Sequence, residues 1–491
     1  MQNISASEVG RIEKTHIGYF FIILLAILSL GAVLFIKSIG IVIACMMVLG
    51  VIAIPFYYNK PHIFLLFSVL LYPFTRYLPL EDKFVVTGSL YLLSIPCAVW
   101  VFCKYFRKVS NTSAYLWAMV MYMIVISLNI LRPQTDFIEI LKEFGRMYYA
   151  IFIILSIYNY VEKIPDRAGM NQKIAQDVVK TISSGSNAVI AYSNKNLKKL
   201  CKYISYMMNI IAFIAIGQYV TRTGGLNQDG IYRAVGTFTG FNDYAFVLSF
   251  FICFSLYFLL TAETTRARFY WTTTIALNIV ALFGTVSKTA LLNTALIFVI
   301  MSMFLSWKRK FQLFACAIVI GSSLLEYLII TGTFNFLIVR FTDMTSFMWR
   351  LEIWRTLYNM ILQGNIWLGQ GPNASRNFLQ LLVVPGESYA PHNVYLETIY
   401  NFGIIGLIPF ILMFIFALFQ GISIYLDKGI VNNENKIIGI SVIIVTLIAI
   451  IQNFVSNAYY DRAGNILFWV ILTLLVCWND YYKSISKQNK R

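Results

Sequence analysis

Charge is scarce in this chain. Only 12% of its 491 residues are Asp, Glu, Lys or Arg, against 59% that are hydrophobic. A soluble fold of this length needs far more polar surface, so the composition places the chain in lipid. Cysteine is also sparing. The seven residues Cys45, Cys97, Cys103, Cys201, Cys253, Cys316 and Cys477 sit in or beside apolar runs, without a CxxC pair, which excludes a disulfide framework and a thiolate metal site. No internal repeat is visible, and no small-residue cleavage site follows the first apolar run, so the N-terminal segment reads as a retained anchor.

What the chain has in quantity is apolar runs of roughly 18 to 22 residues, each long enough to cross about 30 Å of hydrocarbon. About fourteen such spans fit between Ile17 and Val476. The later ones fall near 113–131, 138–160, 200–221, 243–261, 269–286, 288–306, 311–331, 394–425, 436–456 and 465–482. The expected fold is an all-α, polytopic transmembrane bundle with a large, partly helical external loop. Residues 1–160 form N-terminal transmembrane helices and 161–199 a polar cytoplasmic loop. Residues 200–425 hold a second set of spans with external loops at 222–242 and 332–392. Residues 426–491 supply C-terminal helices and a basic tail.

The net charge of +17 would suggest nucleic acid in a soluble chain. Here the basic residues flank apolar runs, no basic and aromatic stripe follows a groove, and nucleic acid is excluded as a partner. Clusters at Lys104–Lys108, Lys195–Lys199, Arg266–Arg268, Lys308–Lys310 and Lys483–Arg491 fall on one side when the spans alternate, and the positive-inside rule makes that side cytoplasmic.

The loops on the other side are rich in arginine instead: Arg76, Arg132, Arg222, Arg233, Arg340, Arg350, Arg355, Arg376 and Arg462. A guanidinium grips phosphate oxygens through two parallel hydrogen bonds, which suits an anionic ligand; snorkelling to lipid headgroups is the plainer alternative. In the 138–160 span, Lys142 and Arg146 each have a glutamate at i−3, Glu139 and Glu143. The four form either an internal ladder or a contact with a lipid-borne anion.

Of the three histidines, His16, His62 and His392, only His392 falls on the arginine-rich side, in Pro391-His392-Asn393-Val394 at the head of a span. A boundary histidine is often structural, but its pKa near 6.5 also lets it accept a proton. Three segments accompany it. Arg350-Leu351-Glu352-Ile353-Trp354 precedes Gly369-Gln370-Gly371, a tight turn whose backbone N–H groups could approach an anion. Arg233-Ala234-Val235-Gly236-Thr237-Phe238 precedes a helix start at Asn242. Gly403 and Gly406 suit close helix packing.

At these residues the chain resembles the O-antigen ligase and polymerase superfamily. His392-Asn393 with Gly403 and Gly406, Arg233 before Gly236–Phe238, and Arg350 with Trp354, Gly369 and Gly371 match its motifs over roughly 210–425. Ser287-Lys288 departs from the usual Ser-Arg and loses the guanidinium fork. The resemblance implies a glycosyltransferase of the bacterial inner membrane, with its site facing the periplasm. It would move a glycan from an undecaprenyl (polyprenyl) diphosphate carrier to a hydroxyl acceptor such as lipid A core.

In that reading His392 is the general base, while Arg233 and Arg350 bind the diphosphate. Asn393, Trp354, Gly369, Gly371, Arg222, Arg146 and Lys142 contact substrate. No cofactor or metal is expected, since the external carboxylates Asp229, Asp243, Asp343, Glu352, Glu387 and Asp461 are scattered. The rival readings are a polymerase joining repeat units on the carrier and a transporter of lipid-linked sugars. The second is disfavoured by the missing repeat and by motifs lying in loops.

Overall fold

The computed structural model describes residues 113–131, 137–162, 187–228, 231–238, 240–303, 344–382, 390–427, 433–457, 459 and 462–489, with single positions between 307 and 321. The chain divides into two compact units, residues 1–102 and 103–491, and every described residue belongs to the second. The spans expected before residue 104 and most of that at 311–331 lie outside the described residues, as do His16, His62, Arg76, Arg132 and Arg340.

The described elements are α1 (Tyr115–Leu128), a 3₁₀ turn (Asn129–Leu131), α2 (Phe137–Glu162), α3 (Asn187–Thr221), β1 (Leu226–Gln228), β2 (Ile231–Arg233), α4 (Phe241–Leu260), α5 (Thr265–Thr285), α6 (Lys288–Met303), α7 (Thr345–Gln363), α8 (Ala374–Leu382), α9 (Val394–Leu426), α10 (Asn433–Val455) and α11 (Arg462–Asn489). Among the described residues the fold is all-α apart from one hairpin, in which β1 pairs antiparallel with β2, Leu226 opposite Arg233. Four helices, within α3, α4, α9 and α10, are long and apolar enough to cross a membrane; three shorter apolar helices accompany them.

α4 is apolar on every face, and a helix of that kind belongs inside a bundle. Its residues Tyr244 to Tyr257 are buried without interruption, against α5, α6, α10 and α11. Aromatic rings fill the centre: Phe250 against Phe468, Phe258 stacked on Trp271 at 4.8 Å, and Phe414 beside Phe468 and Trp469. In lipid, apolar surface gives little drive for helices to associate, so small residues and interhelical hydrogen bonds do more of that work. Gly421 and Gly439 let α9 and α10 approach so closely that a Cβ at either would meet backbone or side chain of the other helix. Asn278 bonds Asn209 between α5 and α3, and Asn293 bonds Gln452 between α6 and α10.

The cationic residues Lys198 and Lys199, at the head of the apolar span Asn196–Thr221 within α3, and Arg266 and Arg268, at the start of α5, are exposed. These helices run parallel, as the bonds Ser205–Tyr270 and Asn209–Thr274 show, so the four charges share one end of the bundle. The hairpin, the start of α4, the α5–α6 reversal and the end of α10 gather at the opposite end. At that reversal the backbone of Val286 turns left-handed, with φ 51°, and lets α6 begin two residues later at Lys288.

Two boundaries differ from expectation. α3 starts at Asn187, inside the stretch read as a loop, because Leu197, Leu200, Cys201 and Ile204 already bury one helical face. α9 is broken at Gly403, whose φ of 66° is not helical. Along a straight helix, Tyr395 and Phe410 would stand about 22 Å apart. Their rings are 5.9 Å apart, so Val394–Phe402 folds back against the rest of α9. The membrane-crossing part is therefore 404–426, and the short arm returns His392 into the bundle.

Candidate functional site

The break in α9 strips backbone partners from both its sides, and inside a membrane protein those groups need replacements. The turn after α7 supplies them. Gln370 N donates to Tyr400 O and Gly371 N to Asn401 O, while Ile404 N and Ile405 N donate to Ile366 O and Trp367 O. Gly369, at φ 69°, sits where a Cβ would be 2.5 Å from Asn401 C and from Gly403 N. Trp367 N and Leu368 N donate to Asn365 Oδ1, and Gly369 N to Asn365 O. The amides of residues 367 to 371 are thus engaged within the protein. Gly369 and Gly371 were expected to offer N–H groups to an anion; here they clamp the broken helix instead.

The folded-back arm carries His392 at its head. Asn393 is the N-cap, its Oδ1 accepting from Leu396 N at 3.1 Å, which is the usual task of Asn at this position. His392 itself has φ 53°, a left-handed backbone that a non-glycine residue adopts at a cost and that is common at functional sites. Trp354 Nε1 donates to Pro391 O at 2.9 Å and so fixes the approach to the histidine from α7. The neighbouring Trp349 ring lies edge-on to the imidazole, 6.0 Å away.

Arg350, one turn before Trp354, donates from Nη1 to Val455 O at the end of α10. Burial pushes the His392 imidazole down to about 4, with the positive charges of Arg350 and Arg376 adding to the effect. The half-buried histidine is therefore neutral at neutral pH, with a ring nitrogen able to take a proton.

Arg376, in the first turn of α8, is tied to the same arm. Its Nε donates to Glu397 Oε1 at 2.8 Å, and Glu397 is fully buried one turn into α9. Ser375 N donates to Asn401 Oδ1 beside it. Glu143 and Arg146 of α2 pair with each other and lie within electrostatic reach of Glu397. Lys142 pairs with Glu139. The glutamates and cations of α2 form the internal ladder that was one of the two readings of that helix, and its Arg146 rung stands near the base of the His392 arm.

Arg233 has a different setting. It ends β2 at 2% exposure, with its guanidinium 4.1 Å from the centre of the Phe241 ring, a favourable cation–π distance. The turn after it is held by Gln218, whose Oε1 accepts from Val235 N and Gly236 N while its Nε2 donates to Gly236 O. Ala234 N donates to Gly284 O, and Ser287 Oγ bonds Asn242 Oδ1, which fastens this loop to the α5–α6 reversal. Arg222, in contrast, is exposed at the end of α3 with φ 53°.

The structure thus brings His392, Arg350, Trp354 and Asn393 together and adds Trp349, Arg376 and Glu397. Arg233 sits at the same end of the bundle in a loop of its own. Arg350 is thus near His392, which heads an arm fixed by a glycine clamp that the sequence did not lead one to expect.

Residues 273–411 match the O-antigen ligase family. No curated protein matches the chain. The matched segment runs from within α5 across the break in α9 into its membrane-crossing part, so it contains Arg350, Trp354, Gly369, Gly371, Arg376, His392, Asn393, Glu397 and Gly403. It leaves Arg233, Arg222, Lys142 and Arg146 outside. Three residues of the candidate site and its supports were passed over in the sequence. Glu397 had a signal, a carboxylate inside an apolar run five places after the histidine. Arg376 was one of nine external arginines with nothing to single it out, and Gln218 gave none. Among the described residues no group of three His, Cys, Asp or Glu side chains gathers in a way that could hold a metal ion.

Proposed function

We propose that this membrane protein is a glycosyltransferase of the O-antigen ligase type, which moves a glycan from a polyprenyl diphosphate to a hydroxyl acceptor such as lipid A core. The observation that carries the reading is His392 at the head of the folded-back arm, held by Trp354 through Pro391, with Arg350 one turn from Trp354 on α7 and Arg376 tied to the same arm through Glu397. The positive-inside rule puts the end bearing Lys198, Lys199, Arg266 and Arg268 in the cytoplasm, so the His392 end faces the periplasm of a bacterial inner membrane.

In the reaction the acceptor oxygen attacks the anomeric carbon of the donor. The bond from that carbon to the phosphate oxygen breaks, and its electron pair leaves with the polyprenyl diphosphate. The acceptor proton passes to His392, a transfer worth about 10² to 10⁴ in rate. Arg350 meets the growing negative charge through charge-assisted hydrogen bonds, and Arg233 is the second cation assigned to it, supplied from the hairpin loop. A bound diphosphate opposes the arginine charges beside His392 and makes the imidazole more basic when the donor is present.

Deleting the gene in its host and separating the surface polysaccharide tests this. A ligase leaves undecorated lipid A core, with full-length chains retained on the carrier. Core capped by single repeat units would mean the polymerase reading instead. Unchanged polysaccharide contradicts both.

A further inference from the structure

Arg376 and Glu397 form an ion pair that ties α8 to the arm of α9. Glu397 is fully buried, and its Oε2 has no hydrogen-bond partner among the described residues. Replacing such a pair by apolar side chains is often neutral or stabilising, so the pair is weak evidence for stability. Its placement points elsewhere. Glu397 is one turn along the arm headed by His392, where its N–H bonds Asn393 O at 3.0 Å. Arg376 is held to it by Nε, leaves about a quarter of its side chain exposed, and acts on the charge of His392 alongside Arg350. One cation from α7 and one from α8 thus lie within electrostatic reach of the same imidazole, and a buried carboxylate holds the second.

We propose that Arg376 is a further guanidinium on the diphosphate of the donor, beside Arg350, and that Glu397 is its positioning residue. This rests on the donor being a diphosphate. A guanidinium anchored by a carboxylate through one edge is pre-organised and loses less freedom when it binds phosphate oxygens.

The full-length protein in detergent, titrated with inorganic pyrophosphate and with farnesyl diphosphate, tests the assignment. Arg376→Gln is expected to weaken both by about ten- to hundredfold, the size of a lost charge-assisted bond. Glu397→Gln should weaken them too, and the double variant should be no weaker than Arg376→Gln alone, because the carboxylate acts through the arginine. Additive losses would overturn the positioning role. Where Arg376→Gln fails to fold, Arg376→Lys keeps the charge and should still bind more weakly than the parent.

The acid limb of the pH–rate profile supplies a readout that a scaffold residue would not move. His392 is faced by Arg350 from α7 and Arg376 from α8, with Glu397 on its own helix and the Trp349 ring at its edge. Removing Arg376 should shift the limb upward, and an unmoved limb would count against the proposal. Arg350→Gln separates the layers. If it weakens pyrophosphate binding and Arg376→Gln does not, only this inference falls. If neither variant changes binding, the diphosphate reading falls as well.

Discussion

His392, the proposed base, sits where protonation is disfavoured. With its imidazole pushed down to about 4 by burial and by two guanidiniums, the free protein carries it neutral over the whole range above about pH 5. The consequence has a definite sign. Since kcat/KM reports the free enzyme, it should stay flat from neutrality down to near pH 5 and fall only as the histidine gains its proton below that. An ordinary histidine would instead give a limb near 6.5. Arg350→Gln removes one of the charges that disfavour the imidazolium, so its limb should lie at higher pH than that of the parent. A parent limb at 6.5, or one that does not move in this variant, would show that the histidine titrating in the pocket is not the group governing the rate.

Among the elements, the arm of α9 and the turn after α7 work as one unit. Neither is regular: the helix breaks at Gly403, and the turn needs left-handed backbone at Gly369 and Gly371. Each supplies the hydrogen-bond partners that the other lacks. Gly403→Ala would put a methyl group on the Trp367 carbonyl at a φ of 66°. It should cost at least about 2 kcal/mol, lower the unfolding midpoint by several degrees, and reduce transfer by displacing His392. Gly217→Ala, near the C-terminal end of α3 with nothing within 4 Å of the added methyl, should be neutral or stabilising by up to about 1 kcal/mol. Equal effects of the two substitutions on the midpoint would mean that the clamp does not hold the arm.

The same pair of elements marks where sequence reasoning stopped. The histidine-to-glycine spacing was visible, and so was the G-x-G turn. Nothing in either run says that they close on each other, because the bonds join backbone groups whose side chains are featureless. Hydropathy drew one span from 394 to 425, since the folded-back arm is as apolar as the helix it leaves.

For the whole molecule, the apolar runs were enough to specify an all-α membrane bundle, because burial in lipid constrains every span in the same way. The pairing of distant arginines with His392 was legible only as a resemblance, since it depends on how α7 and α8 settle on α9. The central claim is that this end of the bundle transfers a glycan with His392 taking the proton. Single-turnover transfer from purified polyprenyl-diphosphate glycan to lipid A core in proteoliposomes measures it directly. His392→Ala, inserted to the parent level and with the parent's unfolding midpoint, should transfer about 10² to 10⁴ times more slowly. Transfer by that variant at the parent rate would contradict the account.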